Sequence, residues 1–290
     1  MCSLLVRFTA VGIGKLFWLY YSRSYPLSYR LNVTMTELHY LHEIPKPEQA
    51  HSIPLDNPLT GPPPARFKDS EVLVAQYRTR PEAIAALVPA PLKPISDVVM
   101  VQFGRWGDVA GMGANTREVN VMLQVEFDGP NGKVTGAYSP YFYVDSDRAM
   151  AGGREFHGQP KRFGNVSIEL REDLIVGTLT RNGIQVFTAT LPYKAKPCDI
   201  SEVWKRVNFV RNINLKLLPQ IDLTRGIRQL TSREFKDIEI TECWTGPVTN
   251  RIEENIQAPL YRLPVVQHLE GFYWKGAFSL VGGVVLHEYP

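Results

Sequence analysis

The chain has 290 residues and 44% hydrophobic side chains, which is enough apolar material for one large domain or two small ones. Charged residues make up only 21% and the net charge at pH 7 is +3, which excludes the concentrated basic surface of a nucleic-acid-binding protein. The 22 glycines and 22 prolines imply many turns between short elements, so a β-rich fold is favoured over a helical bundle. The three cysteines, Cys2, Cys198 and Cys243, have no paired spacing, which argues against a disulfide scaffold or a zinc site and favours a reducing, cytoplasmic compartment.

Residues 1–34 differ in composition from the rest of the chain. Arg7 and Lys15 interrupt their apolar runs, so no run approaches the ~20 residues needed to span a bilayer, and no membrane partner is expected. The segment is basic, contains several serines and lacks acids, so mitochondrial targeting is an alternative to the cytoplasm, and Met35 is an alternative start. We predict an N-terminal extension of unassigned role over residues 1–34 and a single domain over residues 35–290.

From residue 70 onward, short strand-like runs alternate with turns. Within residues 71–78, the side chains alternate between two faces, as is typical of a strand. One face carries Val72, Val74 and Gln76, and the other carries Leu73, Ala75 and Tyr77. Pro81 favours a short helix over residues 82–88, because proline suits the first helical position. The other predicted elements are strands over residues 97–106, 119–127, 133–144, 165–170, 174–180, 184–191, 227–235 and 238–244, a closing hairpin over 265–273 and 277–286, and short helices at 145–150 and 201–207. Many short strands separated by turns predict a barrel or a sandwich.

A glycine-rich segment over residues 152–164 separates two strand-like runs and contains Pro160, Lys161 and Arg162 in succession. Like-charge repulsion from Arg162, together with any burial, disfavours the ammonium form of Lys161 and lowers its pKa. A free lysine amine attacks ketones and forms a Schiff base. The alternative interpretation is a solvated basic pair on a surface loop.

The pattern Gly153-Arg154-Glu155, four residues, then Pro160-Lys161-Arg162 resembles the active-site segment of the acetoacetate decarboxylase family. Other stretches of the chain agree with this resemblance in the same order: residues 176–179, 242–247, 258–260 and 263–265. The likeness extends from about residue 53 to about residue 286. It implies an α+β, mainly β fold, in which an antiparallel β-barrel with a few short helices encloses the lysine, and commonly a homo-oligomer. It implies neither a metal nor an organic cofactor.

The resemblance implies a lyase that decarboxylates a 3-oxo (β-keto) acid. Lys161 forms an imine with the ketone, carbon dioxide leaves as the electron pair enters the imine, and a methyl ketone is released. We expect a small-molecule 3-oxo acid as substrate; a longer or bulkier acid than acetoacetate, such as a polyketide-derived acid of secondary metabolism, is an open alternative to acetoacetate itself. Two alternatives remain open: a Schiff-base aldolase or dehydratase of oxo acids, and a non-catalytic ligand-binding barrel. The last would need Lys161 to be exposed, or to be paired with an acid and fully charged.

The chain departs from the family pattern around the lysine. Where the family has a carboxylate after a Gly-x-Gly loop, this chain has Arg117, with Glu118 one residue later. A one-residue shift restores the acid, because neighbouring strand residues point to opposite faces. A second family carboxylate falls near Gln102, an arginine falls near Ser70, and Gln159 replaces an aromatic residue.

The sequence thus predicts a site centred on Lys161, the Schiff-base residue. Arg162 is expected to perturb the lysine pKa, and Glu118 to act as a general acid or base. His157 is expected at the surface. The residues expected to bind substrate are Arg117, Arg154, Glu155, Gln159 and Gln102. For Arg154 and Glu155, an ion pair that fixes the loop is the alternative.

Overall fold

The computed structural model describes residues 4–6, 17–19, 44–109, 115–130, 132–201 and 211–290. The chain forms two units, residues 1–58 and residues 59–290. In the first unit, strand β1 (Leu4–Val6) pairs antiparallel with β2 (Phe17–Leu19), and a short 3-10 helix covers Pro47–Gln49. The predicted boundary at residue 34 lies outside the described residues, so the N-terminal extension and the single domain from residue 35 stay predictions.

The second unit consists mainly of strands. Its elements, in chain order, are β3 (Ala65–Arg78), α1 (Pro81–Ala85), β4 (Lys93–Val109), β5 (Thr116–Gly129), β6 (Gly132–Val144), α2 (Asp147–Glu155), β7 (Lys161–Phe163), β8 (Asn165–Arg171), β9 (Leu174–Arg181), β10 (Ile184–Pro192), β11 (Lys196–Pro197), β12 (Arg211–Pro219), β13 (Gly226–Pro247), β14 (Thr249–Ile252), a 3-10 helix (Leu260–Arg262), β15 (Gln267–His268), β16 (Glu270–Leu280) and β17 (Val284–Glu288). Among the described residues, no helix is long and apolar enough to cross a membrane.

Seven strands close into a ring. Along the ring, β3 pairs with β4, β4 with β5, β5 with β6, β6 with β12, β12 with β13, β13 with β16, and β16 with β3. All of these pairings are antiparallel except that of β6 with β12. Closure leaves the long strands without unpaired edges. The predicted mainly β fold with a few short helices is confirmed.

Alternation along the ring strands buries both of their faces. On β3, Leu73, Ala75 and Tyr77 belong to one apolar cluster, and Val72 and Val74 belong to another, as the period of two predicts. The first cluster packs against a second sheet, in which the strand order is β14-β10-β9-β8. The second cluster lies on the opposite face.

The C-terminal part differs from the prediction. One continuous strand, β13, covers the two segments predicted over residues 227–235 and 238–244, and its register with β16 shifts between Lys236 and Glu239. Asp237 lies in this interval with a φ of 49°, so the residues that looked like a break form a bulge. The closing hairpin predicted over residues 265–273 and 277–286 is wrong. One strand, β16 (Glu270–Leu280), runs through the predicted turn and pairs with β13 on one side and β3 on the other. Residues 202–207 of the helix predicted over 201–207 lie outside the described residues.

Candidate active site

A row of side chains across neighbouring strands leads to Lys161. Gln102 on β4 pairs with Asn120 on β5, Asn120 pairs with Phe142 on β6, and Phe142 pairs with Lys161 on β7. Residues paired in register lie on the same face of a sheet. All four line one cavity of about 160 Å³, to which every strand of the seven-stranded ring contributes. The cavity therefore lies inside the ring, and Lys161, only 7% exposed, lies in its wall.

Helix α2 and the turn after it bring Lys161 into the cavity. Ser146 caps the helix, since its Oγ accepts a hydrogen bond from the Ala149 N–H. The helix continues to Glu155, beyond the predicted end at Met150, and so includes part of the glycine-rich segment. Gly158 then adopts a φ of 72°, which favours glycine, and the chain turns into β7.

Gly153 provides the space that the Lys161 side chain occupies. A Cβ atom at residue 153 would lie 2.4 Å from Lys161 Cδ and 2.8 Å from Gln159 Oε1. We expect Gly153→Ala to displace the lysine and to lower the rate of imine formation about 10²-fold, as for a misplaced reacting group. Borohydride trapping with a ketone measures this rate.

The control for this substitution is Gly282→Ala, because a Cβ there would meet only Pro63, at 3.8 Å. The higher helix propensity of alanine offsets part of the cost of the close contact with Lys161, so the unfolding temperature of Gly153→Ala is expected to change little. Equal trapping rates in Gly153→Ala and the parent protein would contradict close packing against Lys161.

The charge state of Lys161 is set by burial and by two neighbouring charges. Lys161 Nζ donates a hydrogen bond to Glu118 Oε2 at 3.0 Å and lies 4.6 Å from the centre of the Phe142 ring. Burial lowers the pKa of Lys161, Glu118 opposes this effect, and Arg233 adds to it. Because burial dominates, the lysine pKa lies below its ordinary value, which favours the nucleophilic amine.

A neighbouring cation lowers the pKa of Lys161, as predicted, but that cation is Arg233 and not Arg162. Arg162 follows Lys161 on β7 and therefore points to the other face of the strand. It is exposed, and its Nη1 donates a hydrogen bond to the Gln257 carbonyl at 2.9 Å. The cation that acts on Lys161 is Arg233, which is buried in the cavity wall.

The same alternation separates Glu118 from Arg117. Glu118 is buried and lines the cavity. This agrees with the one-residue shift that puts Glu118, and not Arg117, in the position of the family carboxylate. Arg117 points away, and its Nη1 lies 3.6 Å from Asp145 Oδ2. Arg117 thus holds the start of β5 against the end of β6, and its predicted binding of substrate stays a prediction that this position does not favour.

The other predicted residues divide into two pairs. Gln102 and Gln159 are buried and line the cavity, so the structure places both at the site. Arg154 and Glu155 are exposed at the end of α2 and do not line the cavity. Arg154 donates a hydrogen bond to the Lys161 carbonyl at 3.3 Å, which stabilises the loop between α2 and β7. Contact of Arg154 and Glu155 with substrate thus stays a prediction that their positions outside the cavity do not favour.

A cluster of aromatic rings forms another part of the cavity wall. Phe67 stacks on Phe278 with 4.8 Å between ring centres, and Trp106 meets Phe278 edge-on at 5.4 Å. Phe235 lies 4.6 Å from the same Phe278 ring. All four rings line the cavity. This cluster offers an apolar surface to a ligand bound at Lys161.

The model of the family described as acetoacetate decarboxylase matches residues 52–289. The chain belongs to the acetoacetate decarboxylase family. This membership confirms the resemblance read from the sequence, and with it the predicted class of enzyme, a carboxy-lyase.

Relatives and solved structures of the family agree along most of their length. The chain is 34% identical over 243 residues to acetoacetate decarboxylase 1 of Bradyrhizobium diazoefficiens, covering 83% of this chain and 94% of the relative. It is similar, at 30% identity and a TM-score of 0.77, to a solved acetoacetate decarboxylase, covering 83% of this chain and 97% of that one. The acetoacetate decarboxylase of Legionella pneumophila superposes with a TM-score of 0.75 at 26% identity, covering 87% and 96%.

Two cavity residues were missed or misjudged from the sequence. Arg233 was not singled out, because nothing in the sequence shows that β13 enters the ring. His157, expected at the surface, is partly buried and lines the cavity. Burial, followed by the charges of Arg233, Lys161 and Lys216, lowers the pKa of His157 to about 2. The histidine is therefore neutral in the folded protein at neutral pH.

The neutral state of His157 has a consequence for stability. In the unfolded chain, histidine gains a proton below about pH 6.5, but in the folded protein it does so only near pH 2. The folded state binds fewer protons between these values, so we expect this site to lower the free energy of unfolding as pH falls below 6.5. The slope approaches about 1.4 kcal/mol per pH unit. Urea unfolding of the parent and of His157→Gln between pH 7 and 5 measures it; equal slopes in the two proteins would contradict the burial of a neutral histidine.

Proposed function

We propose that the protein decarboxylates a 3-oxo acid through a Schiff base on Lys161. The observation that carries this proposal is the buried Lys161 amine, whose pKa is lowered, inside a cavity and 3.0 Å from Glu118. A nucleophilic amine and an adjacent proton carrier are the two groups that imine chemistry requires. The names of the relatives, acetoacetate decarboxylases of Bradyrhizobium diazoefficiens and Burkholderia cenocepacia, support the same reaction.

The reaction needs one nucleophile and one proton carrier. The Lys161 amine attacks the ketone carbon, and Glu118 gives a proton to the departing hydroxyl, so that water leaves and a protonated imine forms. The bond between the carboxylate and the α-carbon breaks, carbon dioxide leaves, and the electron pair forms an enamine with the imine carbon. Protonation of the α-carbon through Glu118 and attack of water on the imine then release a methyl ketone and restore Lys161.

The aromatic cluster favours a substrate larger than acetoacetate. Four rings, Phe67, Trp106, Phe235 and Phe278, face the same cavity as Lys161. An alkyl or aryl group on the ketone side would bury apolar surface against them, at about 25 cal/mol per Å². We therefore propose a longer or aromatic 3-oxo acid, such as a polyketide-derived acid of secondary metabolism. A homo-oligomer and a cytoplasmic location remain proposals from the sequence.

A Schiff-base aldolase or dehydratase is the second candidate. By the resemblance to the family, a family carboxylate falls near Gln102 and a family arginine near Ser70, so we infer that the surroundings of the substrate carboxylate differ. The third candidate, a barrel that only binds a ligand, would require Lys161 to stay fully charged beside Glu118. Lys161 is paired with Glu118, but burial lowers its pKa, which opposes the charged form that this candidate requires.

A panel of 3-oxo acids labelled with ¹³C in the carboxyl group tests the proposal. We expect the enzyme to release labelled carbon dioxide faster than the uncatalysed reaction, with a larger kcat/KM for 3-oxohexanoate and 3-oxo-3-phenylpropanoate than for acetoacetate. Nuclear magnetic resonance measures the label. Retention of the label in a condensation product with an added aldehyde would instead establish an aldolase.

A further inference from the structure

Arg233 lies inside the ring, although nothing in the sequence marks it. It pairs in register with Asn212 on β12, and it is two residues before Phe235, which also faces the cavity. Arg233 is only 7% exposed, and its guanidinium carbon lies 5.4 Å from the centre of the Phe235 ring. Arg233 therefore places a fixed positive charge in the same cavity as Lys161 and Glu118.

The guanidinium of Arg233 has unused hydrogen-bond donors. Its Nε and Nη1 atoms are buried and have no hydrogen-bond partner, and among the described residues no carboxylate oxygen lies within 4.0 Å of it. A buried donor without a partner costs about 1–3 kcal/mol, and more when the group is charged. Such a group inside a ligand cavity indicates that its partner arrives with the ligand.

The other arginines near the lysine are less suited to bind an anion in the cavity. Arg117 pairs with Asp145 outside it, and Arg162 is exposed and bonded to Gln257. Arg148 also lines the cavity, at the start of α2, but it is partly exposed.

We propose that Arg233 binds the carboxylate of the substrate. This inference rests on the proposed function, in which a 3-oxo acid forms an imine on Lys161. The planar guanidinium presents two donors to the two carboxylate oxygens, which is the geometry of a bidentate pair. Binding here directs the carboxylate toward one wall of the cavity while the ketone carbon reaches Lys161. When carbon dioxide forms, the negative charge of the carboxylate is lost, so the bond to Arg233 weakens and carbon dioxide leaves; the methyl ketone leaves later, after hydrolysis of the imine.

The inference predicts an effect on substrate binding beyond the effect that loss of Arg233 has on the pKa of Lys161. The attraction of Arg233 for the carboxylate is strongest before the bond breaks, since the charge moves into the imine during the reaction. Loss of Arg233 should therefore raise KM for the 3-oxo acid more than it lowers kcat. A merely structural role of Arg233 would alter the binding of charged and neutral ligands alike.

A matched pair of stable ligands tests the inference. Calorimetry gives Kd for 4-oxopentanoate, which carries a carboxylate, and for 4-oxopentanamide, its neutral counterpart. For Arg233→Met we expect Kd of the acid to rise about 10- to 100-fold and Kd of the amide to change less than about 3-fold, the range for a charged hydrogen bond. Arg233→Lys should recover part of the affinity for the acid. Arg148→Met, the control in the same cavity, should retain the selectivity for the acid.

Three results would overturn the inference. The first is an equal loss of affinity for both ligands in Arg233→Met and Arg233→Lys, which would make Arg233 structural. The second is an unchanged affinity for the acid in both variants. The third is a selective loss of affinity for the acid in Arg148→Met instead. The proposed function fails separately: if neither ligand gives a borohydride adduct on Lys161, the imine is absent, whatever the calorimetry shows about Arg233.

Discussion

Lys161→Met is expected to reduce decarboxylation of the best 3-oxo acid by at least about 10³-fold, the order of loss when a covalent nucleophile is removed. Methionine fills a similar volume without an amine, so the imine has no site of formation. The ion pair with Glu118 is lost as well, which leaves the buried carboxylate beside an apolar side chain. Release of labelled carbon dioxide, corrected for the uncatalysed rate, measures the effect.

The control for Lys161→Met is Arg162→Met. Arg162 is the neighbouring cation in the sequence, but its guanidinium is exposed and bonded to the Gln257 carbonyl. We expect this variant to retain activity within about 3-fold, as surface substitutions usually do. Comparable losses in the two variants would show that the site depends on the basic pair and not on the buried amine.

Glu118→Gln is expected to lower kcat about 10²- to 10⁴-fold, the range for a general acid or base, because it slows both imine formation and protonation of the enamine. Glutamine keeps the shape of the side chain but carries no exchangeable carboxyl proton. Glu118 also raises the pKa of Lys161, against the dominant effect of burial. Its removal should therefore lower the lysine pKa further, so the rate of imine trapping reaches its plateau at a lower pH than in the parent protein.

Glu155→Gln is the matched control, because Glu155 is exposed at the end of α2 and does not line the cavity. It should leave both kcat and the pH dependence of trapping as they are in the parent. Unchanged turnover of Glu118→Gln would contradict the role of Glu118 in proton transfer. A shift of the trapping profile to higher pH would contradict the charge interaction between Glu118 and Lys161.

The central lysine and the fold class could be predicted from the sequence. Proline before Lys161 and the glycines around it are local signals, and the separated family motifs fix their order along the chain. The alternation on β3 was also readable, since Val72 and Leu73 belong to different apolar clusters in the structure. These features depend on neighbouring residues, and a sequence displays neighbours directly.

The rest of the site depends on strand parity and on contacts distant in the chain. Whether Arg117 or Glu118 faces the cavity is decided by one residue of register, and so is the outward direction of Arg162. Arg233 follows Lys161 by more than seventy positions and reaches the cavity only because β13 joins the ring between β12 and β16. No local pattern contains that information.

Borohydride reduction during turnover tests most directly whether Lys161 forms the imine. The protein is mixed with 3-oxohexanoate and sodium borohydride, digested, and analysed by mass spectrometry of the peptide that contains Lys161. We expect a reduced adduct on Lys161 with the mass of the product ketone, without the carboxyl group. An adduct that retains the carboxyl group would support an aldolase or dehydratase. The absence of any adduct on Lys161 with a series of short and long oxo acids, in a protein that still releases carbon dioxide, would contradict the Schiff-base mechanism.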